Sequence, residues 1–348
     1  MGVMKIKSLF PSLLALAMLA LLTFFHTTPI SATTSDAWRN SSLFRSFYKH
    51  VGPVTSIAVS SDGKTFASGG TDGVVNFWDL KTGKPIKTIS ADARGLGAIV
   101  ISSDGKKFVT SNRGETLKLW DLNKGELLNT LGKNSETPEY SKYSSYPITL
   151  AYSVYPIAIT PDDKTLVSGR PDYNLEVWDL STGEQKNNLK GHTLPVYAVA
   201  ISPDGQTIAS GSADETIKLW NLETGELLQT IEGHSYPVNS LEFSNNNSTL
   251  VSGSADATVK VWNFKTGELL HNLSGHSQAV LAVAISPDGN TIASGGADKK
   301  IKIWNLETGD LVHTIAKHGG KIYSLAFSTD GKSLISGDSK GKVKIWQL

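Results

Sequence analysis

Tryptophan recurs along this sequence at a fixed interval. Successive members lie 42 residues apart, except for a single interval of 58 residues, and they are Trp78, Trp120, Trp178, Trp220, Trp262, Trp304 and Trp346. Glycine stands five residues after each of the first six, and Asp or Asn stands sixteen residues before all seven. A constant period of this length is typical of proteins built from stacked structural repeats. The long interval indicates one insertion of 16 residues, within residues 132–147.

Each repeat contains four segments with the composition of short β-strands. In the fourth repeat these apolar, β-branched segments are Val196–Ser202, Thr207–Ser212, Ile217–Leu222 and Leu227–Ile231. Asp204-Gly205 separates the first two, and this dipeptide tolerates the positive φ that a tight hairpin requires. One four-stranded antiparallel unit cannot bury both of its faces, whereas seven units packed around an axis can. The repeats therefore predict a single all-β domain.

Three motifs carry a family resemblance. Gly191-His192, Ser202-Pro203-Asp204-Gly205 and Ile217-Lys218-Leu219-Trp220 resemble the pattern of WD repeats, and related copies extend from Leu43 to Leu348. Seven copies in phase make this resemblance highly specific. It implies an all-β fold, a seven-bladed β-propeller of four-stranded antiparallel blades, over residues 43–348.

The phase of the repeats also predicts how the ring closes. The sequence ends two residues after Trp346, so the seventh repeat lacks its fourth strand. Leu43–His50 aligns with Leu227–His234, which contains the fourth strand of another repeat. We therefore expect Leu43–His50 to pair with Lys342–Gln347 and to cover its open edge.

His, Ser, Asp and Trp recur together in four repeats, and this combination imitates a hydrolytic site. The four sets are His50, Ser68, Asp72 and Trp78; His192, Ser210, Asp214 and Trp220; His234, Ser252, Asp256 and Trp262; and His276, Ser294, Asp298 and Trp304. A catalytic triad needs an exposed serine beside an oxyanion hole, and four identical copies do not make one active site. The WD resemblance implies that each set is a hydrogen-bonded structural tetrad, with no catalytic residue and no metal ligand.

Three repeats depart from the tetrad. Asp92 and Gly114 take the His and Asp positions of the second repeat, Leu150 takes the His position of the third, and Lys340 takes the Asp position of the seventh. We expect these three blades to be less rigid than the others. An altered function at these blades is the alternative interpretation.

Composition narrows the classes of partner. The formal net charge is +1, so the whole molecule has no field that attracts nucleic acid, and we expect no nucleic-acid partner. The absence of cysteine excludes disulfides, thiolate zinc sites and a cysteine nucleophile. No phosphate-loop, metalloprotease or calcium-loop motif is present, so we expect no cofactor and no metal.

Residues 1–32 have the layout of a secretory signal peptide. Lys5 and Lys7 precede an apolar stretch from Leu9 to Phe25, and the polar run after it ends at the small residue Ala32. A retained membrane anchor is the alternative, because the apolar stretch nearly spans a bilayer. Either interpretation predicts an exported protein, periplasmic or extracellular, with a linker at 33–42. Membrane contact is then expected only through an uncleaved N-terminal segment.

Large side chains at positions that vary between repeats predict a partner-binding surface. The variable loops follow the His position and join the second and third strands, and in a propeller both sets open on one face. The candidates are Tyr140, Tyr143, Tyr146, Tyr152, Tyr155, Leu194, Tyr197 and Tyr236. Tyrosine gives a large contact area with few rotatable bonds. For the insertion, a polar loop whose tyrosines pack locally is the alternative.

These observations predict a monomeric, non-catalytic scaffold that binds a protein or peptide outside the cytoplasm. The near-identical blades and the absence of clustered acids or metal ligands favour this function. The alternative is an enzyme, or a binder of carbohydrate or another small ligand, built on the propeller.

Overall fold

The computed structural model describes residues 34–112, 116–132, 156–170 and 172–348. In this part of the chain the strands form seven four-stranded antiparallel sheets, each of them one blade of a ring. The prediction of an all-β, seven-bladed propeller is therefore confirmed. No helix in the same ranges has the length and hydrophobicity needed to span a membrane. The predicted signal peptide, and residues 133–147 of the insertion, lie outside the described residues.

The four strands of the fourth repeat follow the predicted boundaries within one residue. The described chain starts with α1 (Thr34–Ala37), a 3-10 turn (Trp38–Asn40) and β1 (Ser42–Tyr48). Blades one to three are then formed by β2 (Val54–Val59), β3 (Thr65–Gly70), β4 (Val74–Asp79) and β5 (Pro85–Ser90); β6 (Leu96–Ile101), β7 (Lys107–Asn112), β8 (Leu117–Asp121) and β9 (Leu127–Leu131); and β10 (Ile157–Ile159), β11 (Thr165–Gly169), β12 (Leu175–Asp179) and β13 (Gln185–Leu189).

Blades four to seven continue the same order. Their strands are β14 (Val196–Ile201), β15 (Thr207–Ser212), β16 (Ile217–Asn221) and β17 (Leu227–Ile231); β18 (Val238–Phe243), β19 (Thr249–Ser254), β20 (Thr258–Asn263) and β21 (Glu268–Ser274); β22 (Val280–Ile285), β23 (Thr291–Gly296), β24 (Ile301–Asn305) and β25 (Leu311–Ile315); and β26 (Ile322–Phe327), β27 (Ser333–Asp338), β28 (Lys342–Gln347) and β1. First strands of neighbouring blades contact each other, so they surround the axis of the ring.

The turn between the first two strands of a blade is held by its own side chains. In blade four, Ser202 Oγ donates to Asp204 Oδ1 at 2.6 Å, and the same oxygen accepts the N–H of Gln206 at 2.9 Å. Gly205 closes the turn with a φ of 71°, a left-handed conformation that glycine adopts without strain. We call the end of the ring with these turns the turn face. The opposite end, with the loops that precede the first strands, is the histidine face.

The hydrophobic core lies between the blades. Trp262 of blade five, for example, packs with Ala209, Ile217 and Leu219 of blade four. Near the axis, hydrogen bonds also join neighbouring blades: Val283 N–H of blade six donates to Ser240 Oγ of blade five at 3.0 Å. Because each blade buries its faces only against its neighbours, the ring is the stable unit.

The N-terminal strand closes the ring, as the repeat phase predicts. β1 pairs antiparallel with β28, from Ser42 opposite Gln347 to Tyr48 opposite Lys342. Phe47 of β1 also stacks on Trp78 of blade one, with 4.7 Å between ring centroids. Next to the axis, Ile57 N–H of blade one donates to Ser324 Oγ of blade seven at 2.8 Å. The first and last repeats are therefore joined at both the inner and the outer edge.

The segment 33–42, predicted to be a linker, contributes a core residue. Trp38 is 0% exposed and packs edge-on against Phe327, with 5.5 Å between ring centroids. In the other six interfaces this place is taken by the residue two positions after the repeat tryptophan: Leu80, Leu122, Leu180, Leu222, Phe264 and Leu306. The seventh counterpart, Leu348, is 44% exposed, and Trp38 fills the interface between blades six and seven in its place.

Candidate functional site

The tetrads of blades one, four, five and six form continuous hydrogen-bond chains. In blade five, Trp262 Nε1–H donates to Ser252 Oγ at 2.8 Å, and Ser252 Oγ lies 2.7 Å from His234 Nε2. His234 Nδ1 lies 2.7 Å from Asp256 Oδ2. The other three sets repeat these contacts at 2.7–3.1 Å. The serine oxygen is held between two partners in a buried site, which is the geometry of a structural network.

The electrostatics of these sets agree with a structural role. Burial by itself raises the pKa of Asp256, but hydrogen bonds from His234 and Thr258 outweigh it and hold the pKa well below its ordinary value of 3.8. Burial lowers the pKa of His276, and the nearby Asp298 offsets this only in part. A neutral histidine accepts the serine hydroxyl at Nε2 and donates from Nδ1 to the carboxylate. Every polar side-chain atom of the tetrad then has a partner.

Blade seven contains a fifth network that the sequence pattern misses. The repeat phase places Lys340 at the Asp position and predicts a broken tetrad. In the structure, Asp338 supplies the carboxylate from two residues earlier: its Oδ2 lies 3.2 Å from His318 Nδ1, and its side chain is fully buried. His318 Nε2 lies 2.7 Å from Ser336 Oγ, which accepts the Trp346 indole N–H at 2.8 Å. The signal in the sequence was an aspartate at a position where other repeats have Gly, Asn, Arg or Ser.

In blade two, a cluster of opposite charges takes the place of the His–Asp pair of the tetrad. Asp92 Oδ2 lies 2.9 Å from Lys118 Nζ and accepts the Asn112 amide at 2.6 Å, while Asp92 Oδ1 accepts Arg94 Nε at 3.2 Å. Burial opposes ionisation, but these hydrogen bonds hold the pKa of Asp92 well below its usual range. Gly114 lies outside the described residues.

In the described part of blade three, the tetrad network is not formed. Within the described ranges, Ser168 Oγ and Trp178 Nε1 are buried and have no hydrogen-bond partner. Arg170 and Glu176 of the same blade form an ion pair at 3.5 Å. Leu150, at the His position, lies outside the described residues. Unpaired buried polar atoms reduce stability, so Ser168 and Trp178 lower the stability of blade three.

The tetrads also fix the loops of the histidine face. Asp256 Oδ2 accepts the Ser235 N–H at 3.3 Å, and Ser254 Oγ donates to the Tyr236 carbonyl at 2.9 Å. In blade four, Asp214 accepts the Thr193 N–H at 3.0 Å and Ser212 Oγ donates to the Leu194 carbonyl at 2.9 Å. Loop residues two positions after the histidine are therefore presented on a hydrogen-bonded backbone.

The structure places only part of the predicted binding set. Tyr236 is 59% exposed on the histidine face, and Leu194 is half-buried at the equivalent position of the neighbouring blade. Tyr197 is 4% exposed, which leaves little of its ring for a partner. The remaining candidates lie outside the described residues: Tyr140, Tyr143, Tyr146, Tyr152 and Tyr155. In the described part of the chain, no three His, Asp or Glu side chains are placed to share a metal ion.

The fold and the tetrads define a WD-repeat propeller, and comparisons with known families agree. The family described as the WDR3 first beta-propeller domain matches residues 165–348. The family described as the WD domain, G-beta repeat, matches residues 41–79 and 83–121. The chain belongs to the WD-repeat β-propeller family.

Several relatives carry the name of one ribosomal protein. Small ribosomal subunit protein RACK1z of Arabidopsis thaliana and RACK1 of Brassica napus are each 50% identical over 44 residues, 13% of this chain and 14% of theirs. RACK1 of Schizosaccharomyces pombe is 36% identical over 145 residues, 40% of this chain and 42% of its own. The matches thus cover less than half of each relative.

These relatives contradict the predicted location. The sequence predicts an exported protein, periplasmic or extracellular, from residues 1–32. The relatives are named as proteins of the small ribosomal subunit, and ribosomes work inside cells. The prediction of export is therefore wrong, and an apolar N-terminal stretch was not a sufficient basis for it.

Proposed function

We propose that this protein is a non-catalytic scaffold that binds a protein or peptide on the histidine face of its propeller. The observation that carries the proposal is the exposed Tyr236, with Leu194 beside it on the next blade, on loops whose backbone is held by hydrogen bonds. A side chain presented in this way loses little conformational freedom on binding, so more of its contact energy appears as affinity.

The relatives support a scaffold more than a catalyst. Their names describe components of the small ribosomal subunit, which is an assembly rather than a metabolic enzyme. The buried serines of the tetrads support the same function, because Ser252 is 0% exposed and a substrate has no access to it. An enzyme, or a binder of a small ligand, would need a polar constellation that faces solvent.

The proposal is tested by capturing partners with tagged protein from the source cells and measuring the affinity of the purified pair by calorimetry. We expect Tyr236→Ala to weaken binding by about 1–2 kcal/mol, because exposed aromatic anchors dominate interfaces. Leu228→Ala is the matched control, since Leu228 is similarly exposed on the fourth strand of blade four, away from the histidine face.

A second variant tests the presentation of the loop. Ser254 is fully buried and touches the Tyr236 backbone without reaching solvent. Ser254→Ala is expected to weaken binding by about 0.5–1.5 kcal/mol, the usual contribution of one hydrogen bond. Equal affinities for wild-type protein, Tyr236→Ala and Ser254→Ala would show that the partner binds elsewhere on the ring.

A further inference from the structure

One position of the innermost strands is small and apolar in six blades and acidic in the fifth. Twenty residues before each repeat tryptophan stand Ala58, Val100, Ala158, Ala200, Glu242, Ala284 and Ala326. These residues lie at the inner end of the blade interfaces: Ala200 packs against the cluster around Trp262, and Ala326 against the cluster around Trp78. Glu242 therefore places a carboxyl group where the other blades pack a methyl or isopropyl group.

Glu242 opens onto a cavity on the axis of the ring. The cavity has a volume of about 580 Å³, and its lining comes from the first strands of blades one, five, six and seven. Leu325 and Phe327 form part of its apolar wall, while Asn245 and Thr329 belong to the turns of the turn face. A volume of this size lies within the range of roughly 300–1,000 Å³ that is usual for ligand sites. The cavity thus lies at the turn-face end of the central channel, the space along the ring axis between the first strands, and Tyr236 lies at the opposite end.

The carboxyl group has no positive partner there. Among the described residues that line the cavity, Glu242 is the only titratable one, and the Ile285 backbone N–H donates to it. From β14, β22, β26 and β2 the residues at the same level are Ala200, Ala284, Ala326 and Ala58, none of which carries charge. Glu242 is half-buried, and this burial raises its pKa to about 8, with only the Ile285 bond opposing it. An unpaired carboxylate is costly in such surroundings, and a cation that reaches it relieves that cost.

We infer that the turn-face end of the channel receives a lysine or arginine side chain of a partner protein, with the Glu242 carboxylate as its counter-ion. A single carboxylate does not make a Ca²⁺ or Mg²⁺ site, because these ions take six or more oxygen ligands. The apolar wall suits the aliphatic stem of a basic side chain, and the acid suits its charged end. This site is separate from the histidine face, so a negative result here would not contradict the function proposed there.

The test is a titration of methyl-labelled protein with Nα-acetyl-lysine N-methylamide, followed by NMR. At about pH 9 the Glu242 carboxyl is ionised and the lysine amine is still protonated, so we expect saturable shifts of the Ala284, Ala326 and Ile285 methyl signals. At about pH 6 roughly one carboxyl group in 100 is ionised, so the apparent affinity should fall about 100-fold. Nα-acetyl-norleucine N-methylamide has a similar stem without the charge and should bind at least about tenfold more weakly.

Two isosteric variants complete the experiment. Glu242→Gln should lose the binding of the lysine probe and its pH dependence, whereas Glu268→Gln, an exposed site on the same blade, should change neither. The wild-type comparison of the charged and uncharged probes does not depend on how well either variant folds. Equal binding of the two probes, equal binding to Glu242→Gln, or no saturable shift of the channel methyl signals would each overturn the inference.

Discussion

Truncation of Trp38 tests whether the ring is closed by more than its N-terminal strand. Trp38 is completely buried between blades six and seven, and it fills a place that Leu or Phe occupies in the other interfaces. Truncating a buried Trp to Ala typically costs about 3–5 kcal/mol, because the cavity that remains is only partly filled by relaxation. We expect Trp38→Ala to lower the free energy of unfolding by this amount, measured from urea midpoints followed by circular dichroism.

The hydrogen bonding of Trp38 allows a sharper comparison. Its indole N–H has no hydrogen-bond partner among the described residues, whereas the N–H of Trp346 donates to Ser336 at 2.8 Å. Trp38→Phe keeps most of the volume and removes an unpaired donor, so we expect a loss of at most about 1 kcal/mol. Trp346→Phe removes the donor to Ser336 Oγ and should cost about 1–3 kcal/mol more than Trp38→Phe. This account of the closure would be refuted if Trp38→Ala had the urea midpoint of the wild-type protein. It would also be refuted if the two Phe variants lost equal amounts of unfolding free energy.

Four further variants examine the closure strand β1, the tetrads and the channel residue Glu242. Deleting residues 34–49 should lower the melting temperature further than Trp38→Ala does, because the deletion also exposes the edge of β28. Equal melting temperatures for the two variants in calorimetry would show that β1 contributes nothing. His234→Ala should cost about 1–3 kcal/mol in urea unfolding, because Ser252 and Asp256 each lose one buried hydrogen-bond partner. His318→Ala should cost a similar amount if Asp338 completes a fifth tetrad. The unfolded chain holds the Glu242 proton only below about pH 4.5 and the folded chain up to about pH 8, so stability should fall as the pH rises through that window. The full pKa difference corresponds to about 5 kcal/mol, and contact with channel water reduces the expected loss to about 1–3 kcal/mol. Urea midpoints of Glu242→Gln should lack this component, and an identical pH profile would contradict it.

Most of the blade architecture could be predicted from the sequence. Strand formation and the turn at Asp204-Gly205 depend on neighbouring residues, and the repeat period places equivalent residues in equivalent surroundings. Even the pairing of β1 with β28 was visible, because Leu43–His50 has the pattern of a fourth strand. The tetrad residues were visible for the same reason, since each occupies a constant position relative to its tryptophan.

The tertiary structure alone decided the features that break the period. Trp38 has no counterpart in any repeat, and only the assembled ring shows the gap between blades six and seven that it fills. Asp338 replaces the missing acid because its backbone position lies within reach of His318, a distance that alignment by phase does not measure. Glu242 could be read as one polar residue in a strand until the ring placed it beside an uncharged channel wall. The contacts of Trp38 and Glu242 join residues from separate blades or from opposite ends of the chain, as Ser324 and Ile57 do. Asp338 and His318 lie in one blade but 20 residues apart. Local sequence patterns carry no information about such distances.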